Sequence, residues 1–184
     1  MPISSQEYGQ AFLEQAREDL KAAHALPIQT APSTFCMLLQ MVFEKLGKAA
    51  YLLNGQHVAE SHVAISKLFV VLKRAPKSMY IPTVTPDVEQ FIRDLENAQP
   101  SNAKARTLEY HGNNVFQQLE YPWKDELNNQ ACYPARDLTL AQEIVRPRNT
   151  IASQCLKFAS ALEKDLNKIA TMSPPRGHKI SKRS

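Results

Sequence analysis

Glycine is scarce in this sequence, with only 5 residues in 184. Antiparallel all-β folds use glycine in many of their tight turns, so this scarcity argues against that class of fold. The glycines also stand apart from one another, which excludes a glycine-rich loop that cradles phosphates. Cysteine is rarer still, with 3 residues and no C-x-x-C pair. We interpret Cys36, Cys132 and Cys155 as buried, reduced side chains, and we therefore expect a cytoplasmic protein.

Motifs that hold metals or activate nucleophiles are missing as well. His57 and His62 are five residues apart, which does not align them on one helix face, and neither H-E-x-x-H nor G-x-S-x-G occurs. We therefore predict no metal and no cofactor. No apolar segment follows Met1, so we expect no secretory signal and no membrane partner. The formal net charge of +4 permits contact with nucleic acid without requiring it.

Residues 35–55 form the most apolar stretch of the chain. Pro32-Ser33-Thr34 supplies a helix start and Asn54-Gly55 a left-handed stop. The polar residues inside the stretch argue against a membrane span; they are Gln40, Glu44, Lys45 and Lys48. A helix that is apolar on nearly every face is buried on every side. We predict that this helix is the hub of a helical bundle, or that a second copy of the chain covers one side of it.

Four further helices are predicted around this hub. The first begins with a capping box at Ser4 and ends at Pro27, and the next begins at residues 60–62. The third follows Thr85-Pro86. The last helix is long and is kinked or broken at Pro147. The first helix is expected to bury an apolar stripe that consists of Tyr8, Phe12, Ala16, Leu20 and Ala23. The helix after Pro86 is expected to expose Glu96.

The segment 97–136 is polar, with several prolines, and shows no regular apolar period. A loop of this length is usually functional or packed on the body, and we expect Trp123 to anchor it. The sequence thus predicts an all-α fold, an up-and-down bundle of about five helices with a long irregular loop before a kinked C-terminal helix. One domain is expected over residues 1–172, followed by a disordered basic tail at 173–184.

The pattern Gln40-x3-Glu44-Lys45-Leu46-x-Lys48-Ala49 resembles the central helix of the HEPN family (higher-eukaryote and prokaryote nucleotide-binding). Ser61-His62 and Leu119-Glu120-Tyr121-Pro122 also resemble family elements, and the similarity covers roughly residues 8–170. It implies a bundle that pairs as a homodimer and that binds nucleotide or RNA. Many members are metal-independent ribonucleases, often beside a nucleotidyltransferase-type antitoxin partner or within bacterial toxin–antitoxin and defence systems.

Active members of this family carry an R-x(4-6)-H motif at the start of the last long helix. Arg148 and Asn149 match its first half, but Ser153 stands where the histidine is expected. A hydroxyl that does not titrate near neutral pH cannot replace an imidazole as general acid or base. The resemblance therefore implies a non-catalytic member whose Arg146, Arg148 and Asn149 bind an anion such as RNA phosphate. A simpler alternative is that these arginines only solvate the break at Pro147.

Two other functions stay open from the sequence. A displaced histidine would restore a metal-independent endoribonuclease, and the weak candidates are Arg106 with His111, or His62. A further R-x(4-6)-H match, Arg17 with His24, lies on the first helix, away from the family position. The last alternative is a purely structural bundle whose apolar face docks a partner protein.

Overall fold

We describe the fold from a computed structural model, for residues 3–56, 64–76, 82–98, 119 and 132–173, and for the backbone of four short strands. Seven helices occur in these residues: α1 (Ser5–Ala25), α2 (Pro32–Leu53), α3 (Ile65–Leu72), α4 (Pro86–Asn97), α5 (Pro134–Asp137), α6 (Thr139–Ile144) and α7 (Ile151–Met172). Five of them have eight residues or more, namely α1 to α4 and α7. The predicted all-α bundle is confirmed.

The segment predicted as an irregular loop contains some regular structure. Strand β1 (Leu108–Tyr110) pairs antiparallel with β2 (Asn113–Val115), and β3 (Trp123–Asp125) pairs antiparallel with β4 (Gln130–Cys132). Each strand has three residues, too few for a sheet that would be stable alone. The segment packs on the helices through its buried residues Leu119 and Cys132. The side chain of Trp123, the predicted anchor, lies outside the described residues.

Helix α2 occupies the centre of the bundle. It packs against α1, α3, α4, α6 and α7. Phe35, Leu39, Phe43 and Leu46 on this helix are completely buried. Each such side chain contributes about 1.5–3 kcal/mol through the removal of apolar surface from water. The prediction that the apolar segment is the hub is therefore confirmed.

Helix α1 begins as predicted, and Ala16, Leu20 and Ala23 are buried as predicted, but its first turns bury a different face. Glu7 Oε2 accepts a hydrogen bond from Ser4 N at 2.8 Å, and Glu7 N donates to Ser4 Oγ at 3.2 Å, which completes the capping box. The Ser4 hydroxyl, which donates to Glu7 Oε2 at 2.7 Å, and the Ser4 N–H hold the pKa of the Glu7 carboxyl below its usual value. Tyr8, however, is 54% exposed, whereas Gly9 and Leu13 are buried. The prediction for Tyr8 was wrong because the residue of α1 that lies against the end of α2 here is Gly9, one position after Tyr8.

The C-terminus of α2 has the predicted left-handed stop. Gly55 has φ 72°. Its N–H donates to Leu52 O, and the N–H of Gln56 donates to Tyr51 O, both at 2.9 Å. This is the Schellman arrangement, which satisfies two carbonyls at the helix end. The break at Pro147 is confirmed too, because α6 ends at Ile144 and α7 begins at Ile151.

Glu96 corrects the predicted solvent face of α4, since this side chain is only 1% exposed. Its carboxylate accepts hydrogen bonds from the backbone N–H of Ser66, at 3.2 Å, and from the hydroxyl of Ser66. Ser66 lies in the first turn of α3, so Glu96 satisfies a helix N-terminus from a neighbouring helix. Residues 57–63, where this helix is predicted to begin, lie outside the described part.

All three cysteines are buried, and none forms a disulfide within the described residues. Burial raises the pKa of Cys155 to about 12 and raises the pKa of Cys36 as well. A thiol with such a pKa is protonated at neutral pH and is a poor nucleophile, which supports a packing role. Across the described helices, none is long and apolar enough to cross a bilayer. Of the predicted tail, Ser173 is described and buried, and residues 174–184 lie outside the described part.

Candidate anion-binding site

A compact turn at residues 146–150 connects α6 to α7. Arg146 N donates to Glu143 O at 3.1 Å, and Asn149 N donates to Arg146 O at 3.1 Å. Pro147 sits between these two bonds, where its missing N–H costs nothing. The turn therefore carries Arg146, Arg148 and Asn149, the three residues predicted to bind an anion, next to the start of α7.

Arg148 adopts a left-handed backbone conformation, with φ 65°. In residues other than glycine this conformation costs roughly 1–2 kcal/mol because Cβ crowds the backbone. Such strain persists where the surroundings enforce it, and it is concentrated at functional sites. Nothing in the sequence indicates this conformation, since arginine is not a residue that favours it.

Asn149 caps α7. Its Oδ1 accepts a hydrogen bond from the backbone N–H of Ile151 at 2.8 Å. This bond satisfies one of the donors that the first turn of a helix leaves open. Within the described residues the Nδ2 of Asn149 has no partner, so it stays available as a donor for a ligand. Asn149 thus combines a capping role with the predicted binding role.

Arg146 and Arg148 are both exposed. In the part of the chain that the structure describes, neither guanidinium forms an ion pair. Three other arginines there do, since Arg17 pairs with Glu163, Arg93 with Glu89 and Arg136 with Asp137. Two unpaired guanidinium groups on one turn can hold a phosphate or a carboxylate, because each offers several donors in a planar fork.

Ser153, at the position of the family histidine, lies exposed in the first turn of α7. Its hydroxyl donates to Thr150 O at 2.9 Å. The hydroxyl is thus bonded to its own helix, a common arrangement for serine within helices. It offers no group that exchanges a proton near neutral pH.

The candidates for a displaced active site are only partly described. His62, Arg106 and His111 lie outside the described residues. The histidine that the structure does describe, His24, has its Nε2 3.2 Å from Ser160 Oγ on α7. Ser160 is seven residues beyond Ser153, about 10 Å along the helix axis. The guanidinium of Arg17 pairs with Glu163 on α7 at 2.5 Å. Both residues of the Arg17–His24 match thus contact α7 from α1.

Lys157 and Gln154 extend the site along α7, although neither belongs to the sequence motif that selects the turn. Both follow Ser153 within about one turn, and Lys157 is exposed. A helical projection from Asn149 places them on the same face as Thr150. That periodicity is the signal that could have identified them. Among the described residues no cluster of side chains could hold a metal ion.

A family model described as the HEPN domain matches residues 10–169 of the chain. The match spans both the central helix and the Arg148–Asn149 turn, and it agrees with the similarity expected over residues 8–170. We found no significant match among curated proteins or among solved structures. The chain belongs to the HEPN family.

Proposed function

We propose that this chain is a non-catalytic HEPN protein that binds the phosphates of RNA or nucleotides at Arg146, Arg148 and Asn149. The observation that carries the proposal is the turn before α7. There Arg146 and Arg148 present two exposed guanidinium groups that form no ion pair within the described structure, and Arg148 occupies the arginine position of the family motif. The histidine half is replaced by Ser153, whose hydroxyl is bonded to the helix backbone.

The chemistry of the turn suits a phosphate ligand. Arginine forms bidentate, charge-assisted hydrogen bonds with phosphate oxygens. The positive end of the α7 dipole and its open N–H groups add attraction for an anion in the same place. The strained backbone of Arg148 supports a functional role because a relaxed turn would be more stable. Together these features favour binding over a purely solvating role for the two arginines.

The absence of catalysis is part of the proposal. Loss of a general acid or base typically lowers a rate about 100-fold or more. RNA incubated with the chain in EDTA should therefore remain intact. Cleavage that disappears in His111→Ala or His62→Ala would instead establish a ribonuclease with a displaced histidine.

We further propose that the chain acts as a homodimer in a bacterial toxin–antitoxin or defence-type setting, with a nucleotidyltransferase-type protein as its partner class. This part of the proposal rests on what is common among members of the family, and not on an observed contact between this chain and a partner. Light scattering tests the pairing, since a particle of 20.7 kDa at every concentration would contradict it.

Arg148→Ala should weaken the binding of single-stranded RNA by about 10-fold to 100-fold. A hydrogen bond to a charged group contributes about 1.5–3 kcal/mol, which corresponds to that range. The slope of log K against log salt should also fall by about 1 because one phosphate contact is lost. Filter binding at several salt concentrations measures both effects. Arg136→Ala is the matched control because Arg136 is exposed but already paired with Asp137.

Arg148→Gly separates binding from folding at the same position. Glycine adopts φ 65° without strain, so this variant should gain about 1 kcal/mol of stability while losing RNA binding. Arg148→Ala loses the same guanidinium but keeps the strain, and it should be about as stable as the original chain. Urea unfolding followed by circular dichroism compares the two. RNA binding that survives in both variants contradicts the proposal.

A further inference from the structure

A groove of about 240 Å³ runs between residues 82–84 and the first three turns of α7. On the α7 side it is lined by Gln154, Lys157, Phe158 and Ala161. Pro82 and Val84 form the opposite wall together with Thr83. Pockets for drug-sized molecules measure about 300–1,000 Å³, so this groove suits a single flat ring system.

The floor of the groove is apolar and held in place from behind. Phe158 is only 4% exposed. Its ring is stacked on the ring of Phe69, with the two centroids 6.4 Å apart and an angle of 14° between the ring planes. The centroid of the Phe43 ring lies 6.1 Å from that of Phe158. Aromatic contacts of this kind fix the ring orientation. Ala161 has a short side chain, and this leaves the space above Phe158 open.

The rim of the groove is polar. Lys157 is exposed and, within the described structure, has no ion pair. Gln154 Nε2 donates to Thr150 Oγ1 at 2.7 Å, which orients the amide and leaves its Oε1 as an acceptor. Thr83 adds an exposed hydroxyl. The groove thus offers an apolar floor, an acceptor and a cation.

The groove lies along the face of α7 that starts at Thr150, directly after the arginine turn. Thr150, Gln154, Lys157 and Ala161 follow one another at spacings of three and four residues, which places them on one helix face. Thr150 is next to Asn149, and Lys157 is about 10 Å further along the axis. A ligand can therefore contact the turn with a phosphate and reach the groove with a ring.

We infer that the groove takes the nucleobase of a single-stranded oligonucleotide whose phosphate is held at Arg148. This inference rests on the proposed function, since it assumes that the arginine turn binds phosphate. A base has apolar faces and a polar edge, which match the floor and Gln154. Its phosphates match Lys157. Only unpaired bases can enter such a groove, because a duplex hides them in the stack.

The test compares an oligoribonucleotide with an abasic oligonucleotide of the same length and charge. The original chain should bind the oligonucleotide with bases about tenfold or more tightly, in line with the usual contribution of one base held against protein rings. Ala161→Leu fills the groove and should abolish this preference while abasic binding stays unchanged. Ala22→Leu makes the same change at an exposed position of α1 and should keep the preference.

Two further variants keep the test decisive if Ala161→Leu folds poorly. Gln154→Ala removes the acceptor and should reduce the preference for the oligonucleotide with bases. Lys157→Ala should weaken both ligands, whereas Lys168→Ala, an exposed lysine eleven residues further along α7, should not. Equal affinity for the two oligonucleotides in the original chain would overturn the groove inference, as would a preference that Ala161→Leu and Gln154→Ala both retain. If abasic binding then still depends on Arg148, the proposed function stands without the groove.

Discussion

Gly47→Ala should destabilise the protein by at least about 2 kcal/mol. Gly47 lies in the middle of α2, and a Cβ built there would be 2.0 Å from the carbonyl oxygen of Ala64 and 2.6 Å from its carbonyl carbon. Both atoms belong to the backbone, so α3 would have to move away from α2. Overpacking of this kind costs about 3 kcal/mol or more when backbone must shift. The better helix propensity of alanine returns about 1 kcal/mol.

Gly55→Ala is the matched control for Gly47→Ala. No atom of the described residues lies within 4 Å of a Cβ built at Gly55, but its φ of 72° is strained for alanine. We therefore expect a loss of about 1 kcal/mol there, caused by the backbone alone. Urea unfolding of both variants, followed by helical circular dichroism, gives the comparison. If Gly47→Ala is as stable as the original chain, the close approach of α2 and α3 does not exist.

Local signals in the sequence predict much of this fold. The capping box at Ser4, the left-handed stop at Gly55 and the break at Pro147 each involve residues within a few positions of one another. A short peptide segment carries all the atoms that make such a feature, so its sequence is enough to predict it. The burial of α2 is predictable for a different reason, since its apolar residues cover nearly every face.

Contacts between distant segments are not predictable in the same way. The polar Glu96 is buried because its partner Ser66 is thirty residues away in sequence. The role of Gly47 depends on the carbonyl of Ala64, which its own helix does not contain. Tyr8 is exposed because Gly9, rather than Tyr8, lies against Leu52 and Leu53 at the end of α2. Helical periodicity predicts which face of a helix is apolar, but it does not predict which other segment packs against that face.

The candidate site is also predictable from the sequence only in part. The motif position and the proline break are enough to select Arg146, Arg148 and Asn149 from the sequence alone. The left-handed conformation of Arg148 and the cap formed by Asn149 depend on how the turn closes between α6 and α7. The groove is beyond such prediction too, since residues 82–84 and Phe158 meet only in the folded chain.

Asn54 connects the ends of two helices in the interior. It lies at the C-cap of α2 and is 7% exposed. Its Nδ2 donates to Ala170 O at 2.8 Å and to Ser173 O at 2.6 Å. Both carbonyls belong to the end of α7, where the last turn of a helix leaves acceptors without partners. One side-chain amide therefore satisfies two buried carbonyls that are distant in sequence.

Asn54→Asp should destabilise the protein by about 4 kcal/mol at neutral pH. The substitution keeps the shape of the side chain but replaces the donor by a charged acceptor that faces two carbonyl oxygens. A buried charge without compensation costs about 3–5 kcal/mol. The negative end of the α7 dipole adds to the repulsion. Chemical unfolding at pH 7 measures the loss, and a loss below about 1 kcal/mol would contradict the described contacts.

The pH dependence of this variant identifies the cause. Burial and the two carbonyls disfavour the charged form, so the pKa of the introduced carboxyl is higher in the folded than in the unfolded state. The penalty is therefore complete above the folded-state pKa and shrinks as pH falls towards about 4, the unfolded value. Asn167→Asp places the same charge on the exposed surface of α7 and should cost less than about 1 kcal/mol. A penalty for Asn54→Asp that is independent of pH would mean that the loss of the two N–H donors, rather than the charge, is responsible.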